Sequence, residues 1–244
     1  MKLPDQLRGE LHRIMKLAPV PHTVALVGGG GKTTSLLLLA AEATAAGRRA
    51  AVLTTTHIGP PRRPGFTVVT EDDPEAVERG WAQGLTVAVG RLITDGRLQS
   101  PSPLMRDYLQ ERADALYVEA DGSKGLPLKY PADWEPALPD EAEQVLLLCG
   151  LSALGQPVDT FCHRARLMRE ELGETRSLID EELMAKVLAA GYGRYRPRVV
   201  INHADTPELA ARGLRLAALL AERGLNDSVV LSLHNILREN GGQP

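Results

Sequence analysis

The residues with the clearest chemical role are four consecutive glycines, a lysine and two threonines, Gly28-Gly29-Gly30-Gly31-Lys32-Thr33-Thr34. An apolar segment with the pattern of a buried strand precedes them, and a helical pattern follows at once. A strand, a glycine loop and a helix that begins at Lys-Thr can wrap backbone N–H groups around the phosphates of a nucleotide. Glycines let the main chain approach the phosphate oxygens, and the helix N-terminus adds partial positive charge. The sequence therefore predicts a site for ATP or GTP.

Each polar side chain of this loop has a predicted role. Lys32 is expected to bind the β- and γ-phosphates and to act in catalysis, and the Thr33 hydroxyl is expected to ligate Mg²⁺. The backbone of Gly28–Gly31 and Thr34 would complete the nucleotide site. The spacing is shorter than G-x-x-x-x-G-K-[ST], which needs glycine where Leu26 stands, and it resembles the short loop of Mur ligases and folylpolyglutamate synthases. The alternative is a glycine-rich turn that binds nothing.

A second polar cluster, Glu119-Ala120-Asp121-Gly122-Ser123-Lys124, follows an apolar strand pattern. This is the position at which a P-loop enzyme places its second Mg²⁺-binding carboxylate. Alternation along a strand puts Glu119 and Asp121 on the same side, so both are expected to face one ion. The alternative is an ordinary acidic turn that closes the strand.

The hydroxyl cluster Thr54-Thr55-Thr56 ends another predicted strand. Its hydroxyls, Thr55 above all, could hydrogen-bond a γ-phosphate or a metal-bound water. Threonine is also simply a favourable strand residue. His57 could carry a proton or could be an ordinary surface or packing residue.

The segment Asn202-His203-Ala204-Asp205 resembles the base-reading loop of GTP-binding proteins, in which the aspartate accepts two hydrogen bonds from guanine. Those loops usually carry lysine second, where this chain has His203. The alternative is a polar turn in which Asp205 or Thr206 caps the following helix. The choice between ATP and GTP stays open, with ATP or a permissive site slightly favoured.

The two cysteines, Cys149 and Cys162, are too few for a disulfide framework or a four-ligand zinc site. Cys162 stands beside His163, and a thiolate there could act as a nucleophile. Cysteine in an apolar strand is more often a core residue, which is the interpretation we give Cys149.

Composition excludes several classes of protein. The net charge of −3 provides no general attraction to nucleic acid or to an anionic membrane, and no apolar run is long enough to span one. The first residues show helical spacing of leucines, not a signal pattern, so a cytoplasmic protein is expected.

Strands alternating with helices predict a single α/β domain over 1–244, a three-layer P-loop NTPase-like fold with a mostly parallel sheet and helices on both faces. Residues 1–21 would form a helical lead-in and 126–142 a proline-spaced loop. Strands are predicted at 22–27, 50–55, 66–70, 85–94 (continuing into a hairpin), 115–119, 144–149, 198–201 and 228–233. Helices are predicted at 32–46, 73–83, 103–112, 164–172, 180–190 and 207–223.

Taken in order, five motifs resemble those of one family, YqeC: residues 27–34, the three threonines 54–56, residues 118–125, Lys129 with Glu135-Pro136, and the turn 202–205. The resemblance extends from about residue 10 to 235. It implies a bacterial accessory protein that helps install a selenium-containing cofactor on a molybdenum hydroxylase, with that hydroxylase or its assembly proteins as partners.

The leading functional hypothesis is an Mg²⁺-dependent NTPase or nucleotide-driven ligase or transferase in that maturation. Lys124 or Lys129 would stabilise the transferred phosphoryl group or hold an anionic co-substrate. The main alternative is a nucleotide-gated switch or chaperone that docks on the hydroxylase and turns over slowly. A third alternative is selenium transfer through Cys162.

Overall fold

The computed structural model describes residues 10–17 and 20–239. Its helices are α1 Glu10–Ile14, α2 Lys32–Ala45, α3 Pro74–Ala82, α4 Pro103–Arg112, α5 Val158–Phe161, α6 Ala165–Leu172, α7 Glu181–Tyr192, α8 Pro207–Glu222 and α9 Leu233–Glu239. Its strands are β1 Thr23–Gly28, β2 Ala50–Thr54, β3 His57–Ile58, β4 Phe66–Val69, β5 Thr86–Val89, β6 Arg91–Leu92, β7 Leu98–Gln99, β8 Ala115–Glu119, β9 Leu128–Lys129, β10 Gln144–Gly150, β11 Cys162–His163, β12 Arg198–Asn202 and β13 Ser228–Val230.

Eight strands form one sheet in the order β13-β12-β10-β1-β8-β2-β5-β4, and every neighbouring pair is parallel. Strand β1 lies between β10 and β8, with Gly28 opposite Leu148 and Leu26 opposite Glu119. The carboxyl ends of the three central strands therefore meet at one edge of the sheet, where ligands of such folds bind.

Helices cover both faces of this sheet. Helices α1, α2 and α9 pack on the face that carries Val24 and Leu26 of β1. Helices α6, α7 and α8 pack on the other face, against Ala25 and Val27. Helices α3 and α4 continue that second layer towards β5. The predicted three-layer α/β fold with a parallel sheet is confirmed.

Most long helices begin with a side-chain cap, but α2 does not. Asp73, Ser102, Asp180 and Thr206 each accept a hydrogen bond from an N–H in the first turn of the helix that follows. At α2 the cap position is Gly31, whose φ of 117° is open to glycine but strained for other residues, and no described side chain makes a capping hydrogen bond there.

The sequence-based boundaries fail where elements are short. Residues 126–142 contain β9, which pairs with β11, and the predicted hairpin strand 85–94 divides between β5 and the separate antiparallel sheet β3-β7-β6. The last predicted strand ends at Val230, because Ser232 accepts from Asn235 N–H and starts α9. Of the predicted lead-in 1–21, residues 1–9 and 18–19 lie outside the described residues.

No helix within the described ranges combines the length and apolar character needed to cross a membrane.

Candidate functional site

The glycine loop is packed so tightly that its second residue has no room for a side chain. A Cβ on Gly29 would lie 2.4 Å from the carbonyl oxygen of Leu126, and one on Gly28 would lie 2.2 Å from that of Leu148. Both distances are far below van der Waals contact. Part of the glycine requirement therefore comes from packing against β10 and the 126–127 segment, not from a ligand.

The first three N–H groups of the loop are used inside the fold. The N–H of Gly28 donates to the Asp121 carboxylate at 3.1 Å. Those of Gly29 and Gly30 donate to main-chain carbonyls at 2.8 and 3.2 Å. The expectation that Gly28, Gly29 and Gly30 present N–H groups to phosphate is therefore corrected: these glycines shape the loop.

The N–H groups of Gly31, Lys32, Thr33 and Thr34 are open. Within the part of the chain that the structure describes, no protein acceptor takes them, as is usual for the first turn of a helix without a cap. All four residues line a cavity of about 770 Å³, a size typical of ligand sites. Residues 31–34 are thus the part of the loop whose N–H groups have no acceptor within the described chain and face a cavity.

Lys32 folds back over the loop. Its Nζ donates to the carbonyl oxygen of Gly28 at 2.6 Å and to Ser123 Oγ at 3.1 Å, and it lies 3.5 Å from an Asp121 carboxylate oxygen. The residue is only 5% exposed, yet it lines the cavity. The ammonium group is therefore held by the loop and by the 121–123 segment.

Thr33 and Glu119 meet across the cavity floor. Thr33 Oγ1 donates to Glu119 Oε2 at 3.0 Å, and Glu119 is 6% exposed. Burial raises the pKa of the Glu119 carboxyl above its ordinary 4.5, against the opposing effects of the Lys32 charge and the Thr33 hydrogen bond. One hydroxyl and one carboxylate, with room beside them, are the hard oxygen ligands that Mg²⁺ takes.

Asp121 does not join Glu119 at the cavity. It is fully buried and accepts hydrogen bonds from Gly28 N–H and from Tyr192 Oη at 2.7 Å. Strand β8 ends at Glu119, so the alternation assumed for the two carboxylates does not continue to residue 121. The expectation that both face one ion is corrected: Asp121 anchors the glycine loop.

Lys129 is likewise a buried structural group. Its Nζ donates to the carbonyl oxygen of Gly122 at 2.7 Å and lies 3.3 Å from Asp121 and 3.1 Å from Glu135. No part of its side chain is exposed, so its predicted contact with a phosphoryl group is corrected. Lys124 is exposed and lines the cavity, in a left-handed backbone conformation with φ 53°.

The predicted threonine cluster divides between core and cavity. Thr54 is buried and donates to the carbonyl oxygen of Glu119 at 2.9 Å, which ties β2 to β8. Thr55 and Thr56 line the cavity, as does the exposed His57. Thr55 therefore lines the same cavity as Thr33, and its predicted bond to a γ-phosphate or a metal-bound water stays a prediction.

Asn202 and Asp205 do not line this cavity. The Asn202 amide donates to the carbonyl oxygen of Gly30 at 3.0 Å and accepts from Leu233 N–H at 3.1 Å, so both of its ends are used inside the fold. Asp205 is exposed and accepts from Ser232 Oγ, while Thr206 is the helix cap. The structure assigns Asn202 to bracing the glycine loop.

Neither cysteine has the surroundings of a nucleophile. Burial raises the pKa of the Cys149 and Cys162 thiols to about 12, and both side chains are inaccessible. Cys162 donates to the carbonyl oxygen of His163 at 3.7 Å. The geometry corresponds to core cysteines, so selenium transfer through Cys162 finds no support.

The outer wall of the cavity contains residues that the sequence analysis did not select. Trp134 is 74% exposed, and the Arg164 guanidinium carbon lies 5.3 Å from the centre of its ring. Arg164 donates to Glu135 at 2.8 Å. No motif marks Trp134 or Arg164 in the sequence; Glu135 was quoted only for the family resemblance.

The comparisons agree with that resemblance. The family model described as YqeC protein matches residues 24–166, more than half of the chain. The uncharacterized protein YqeC of Escherichia coli (strain K12) is 39% identical over 67 residues, which are 27% of this chain and about a quarter (26%) of that protein's length. The crystal structure of hydrogenase maturation factor HypB from Archaeoglobus fulgidus aligns over 95% of this chain and 91% of that chain, with a TM-score of 0.40 and 12% identity. By its family match, this chain is a member of the YqeC family.

Proposed function

We propose that this protein binds a nucleoside triphosphate with Mg²⁺ in the cavity at the carboxyl end of β1 and uses it in hydrolysis or in phosphoryl-driven transfer. The observation that carries the proposal is a convergence: the open N–H groups of 31–34, the Lys32 ammonium and the Thr33–Glu119 pair all line one cavity. Donors of this kind, aimed at one place, are what a triphosphate requires.

Different groups of the protein would contact the phosphates and the metal ion. The N–H groups and Lys32 neutralise the phosphate oxygens and hold the chain of phosphates in one orientation. Thr33 and Glu119 would hold Mg²⁺, which supplies charge neutralisation when bound. Thr55 lines the same cavity, and its hydroxyl would help to orient a terminal phosphate.

We also place this activity in the maturation of a selenium-dependent molybdenum hydroxylase. This part of the proposal rests on family membership and on the resemblance that the five motifs carry. The proposal covers both ATP and GTP, since the predicted base-reading residues Asn202 and Asp205 do not line the cavity.

A nucleotide-gated switch is the second candidate, and one observation favours it. A chain of charges runs from Lys32 through Asp121, Lys129 and Glu135 to Arg164 at the outer wall, with separations of 3.5, 3.3, 3.1 and 2.8 Å. Phosphate binding would draw the Lys32 ammonium away from Asp121. The loss of that contact would change the ion pairs further along the series, up to the pair of Glu135 and Arg164.

Two measurements test the proposal. Calorimetry of the wild-type protein with ATP and with GTP, each with Mg²⁺ and with a chelator, should show saturable binding that Mg²⁺ strengthens. Phosphate release should then be measured with and without a purified molybdenum hydroxylase. Release by the protein alone supports the enzyme, and release only with the partner supports the switch. Absence of triphosphate binding under all conditions contradicts both.

A further inference from the structure

The cavity is larger than its phosphate-binding floor, and its outer wall has a different composition. The floor is made by residues 31–34 with Glu119. The outer wall is the group of lining residues Lys124, Trp134, Glu135, His163 and Arg164, and Arg97 and His57 also line the cavity. The triphosphate site proposed above uses none of these residues, although the sequence analysis assigned Lys124 to a phosphoryl group or an anionic co-substrate.

Trp134 is the only exposed tryptophan of the chain. The other, Trp81, is nearly buried and donates its ring N–H to the carbonyl oxygen of Ala50 at 3.1 Å. Trp134 leaves most of its ring in solvent at the mouth of a cavity. A large aromatic surface in this position is a stacking platform for a planar group.

Arg164 is fixed beside that platform. Its guanidinium donates to Glu135 at 2.8 Å, and Glu135 is itself held by Lys129 at 3.1 Å and by the N–H of Ala132 at 3.1 Å. The Arg164 backbone is in the left-handed region, with φ 64°. A cation held this firmly over a ring adds directional attraction to whatever stacks there.

The wall carries excess positive charge. Glu135 is its one carboxylate among the described lining residues, and Lys129 and Arg164 already pair with it. Lys124 is exposed and has no ion pair within the described chain, and Arg97 pairs with Asp95 outside the lining. A carboxylate or phosphate on the bound molecule would provide the missing counter-charge.

We infer that this outer wall binds a second substrate, a planar aromatic molecule that carries a carboxylate or phosphate, with its ring on Trp134 and its anionic group near Lys124 and Arg164. The inference deepens the proposed function, since it names the class of molecule that would receive or accompany the phosphoryl chemistry.

The same chemistry has a second source, the base of the nucleotide itself. A stacked base would occupy Trp134 whenever a nucleoside triphosphate is bound, whereas inorganic tripolyphosphate would fill the floor and leave the wall free. If the nucleobase occupies Trp134, a nucleotide will displace an aromatic probe and tripolyphosphate will not. If a second substrate occupies Trp134, neither will displace the probe.

The probe is 2-naphthoate, with 2-naphthamide as the uncharged match and cyclohexanecarboxylate as the non-aromatic match. Binding is measured by calorimetry and ligand-observed NMR on the full chain, with Mg²⁺-tripolyphosphate or with Mg²⁺ and a non-hydrolysable triphosphate analogue. We expect naphthoate to bind in both cases, and each matched compound to bind about tenfold more weakly.

Variants locate the site. Trp134→Ala should weaken naphthoate about tenfold, Trp134→Phe should restore most of the affinity, and Lys124→Ala should weaken naphthoate but not naphthamide. Leu178→Ala and Arg62→Ala remove an exposed apolar group and an exposed cation outside the lining, and should change nothing.

Several outcomes overturn the inference: no naphthoate binding by the wild type, equal affinity in Trp134→Ala, or equal binding of naphthamide. Displacement of naphthoate by the nucleotide analogue but not by tripolyphosphate would reassign the wall to the nucleobase. Trp134-dependent naphthoate binding by a protein that binds no triphosphate would uphold the wall and reject the proposed function, so the two failures are distinguishable.

Discussion

The hydroxyl of Thr33 lies 3.0 Å from the carboxylate of Glu119, which joins the first turn of α2 to the end of β8. Two residues later along the chain, Asp121 is fully buried beneath the glycine loop. Carboxylates with one residue between them therefore have separate roles: Glu119 faces the cavity, and Asp121 holds the loop that forms its floor.

This division predicts opposite effects of two amide substitutions. Glu119→Gln should remove the Mg²⁺ dependence of nucleotide binding and leave the fold at least as stable as the wild type, since burial disfavours the charged form of Glu119. Asp121→Asn should destabilise the nucleotide-free protein by about 3 kcal/mol, because Lys32 and Lys129 lose their shared carboxylate. Urea unfolding without nucleotide measures the free energy of unfolding of the two variants and of the wild type. Equal loss of stability in the two variants would contradict the division.

The raised pKa of Glu119 gives the Mg²⁺ affinity a pH dependence. Mg²⁺ needs the carboxylate form, so its affinity should fall as pH decreases through that raised pKa, and the proton release per bound ion should rise towards one. The effect on folding has the opposite sign: stability from the protonated form is present below pH 4.5 and is lost as pH rises through the folded-state pKa. Mg²⁺ titrations at several pH values, repeated with Glu119→Gln, measure the first effect. A wild-type affinity that is independent of pH over this range would contradict it.

Two glycines test how much of the loop is fixed by packing. Gly29→Ala should destabilise the nucleotide-free protein by about 1–3 kcal/mol, because its Cβ would meet the Leu126 carbonyl oxygen at 2.4 Å. Gly122→Ala is the matched control: its Cβ would meet nothing within 4 Å, and neither glycine has a positive φ. Thermal unfolding in the absence of ligand compares them. Equal melting temperatures would show that the loop yields to a methyl group.

The choice of base should not depend on the turn after β12. Asn202→Ala should destabilise the fold by about 1–3 kcal/mol, since the Gly30 carbonyl and the Leu233 N–H lose their partners. Asp205→Asn should leave the ratio of ATP to GTP affinity unchanged, because Asp205 does not line the cavity. Competition between the two nucleotides is the measurement. A strong GTP preference that disappears in Asp205→Asn would restore the base-reading role that the sequence suggested.

The sequence predicted the fold because long buried strands and amphipathic helices carry strong periodic signals. Lys32, Thr33, Thr55, Glu119 and Lys124, which the sequence analysis selected, all line one cavity, since each lies at or shortly after the carboxyl end of β1, β2 or β8. The sequence could not separate Glu119 from Asp121 or assign Lys129, because their roles depend on where β8 stops and on burial that no pattern shows. Trp134 and Arg164 meet through a loop and a two-residue strand, which sequence periodicity cannot detect.

Lys32 connects these observations, and its replacement tests the central proposal. Its Nζ donates hydrogen bonds to a carbonyl and a hydroxyl and lies near a carboxylate. Lys32→Ala therefore removes contacts that hold the loop as well as any contact with phosphate. Lys186→Ala is a matched control, since that Nζ also donates to a carbonyl, of Leu172, and to the carboxylate of Glu174, but outside the cavity.

The most direct measurement is calorimetry of Mg²⁺-ATP and Mg²⁺-GTP with the wild type, Lys32→Ala and Lys186→Ala, each shown by its melting curve to be folded. We predict that Lys32→Ala weakens triphosphate binding by about a hundredfold or more, because charge-assisted bonds to phosphate are lost, while Lys186→Ala binds like the wild type. Undiminished triphosphate affinity in folded Lys32→Ala would contradict the phosphate site and, with it, the proposed function.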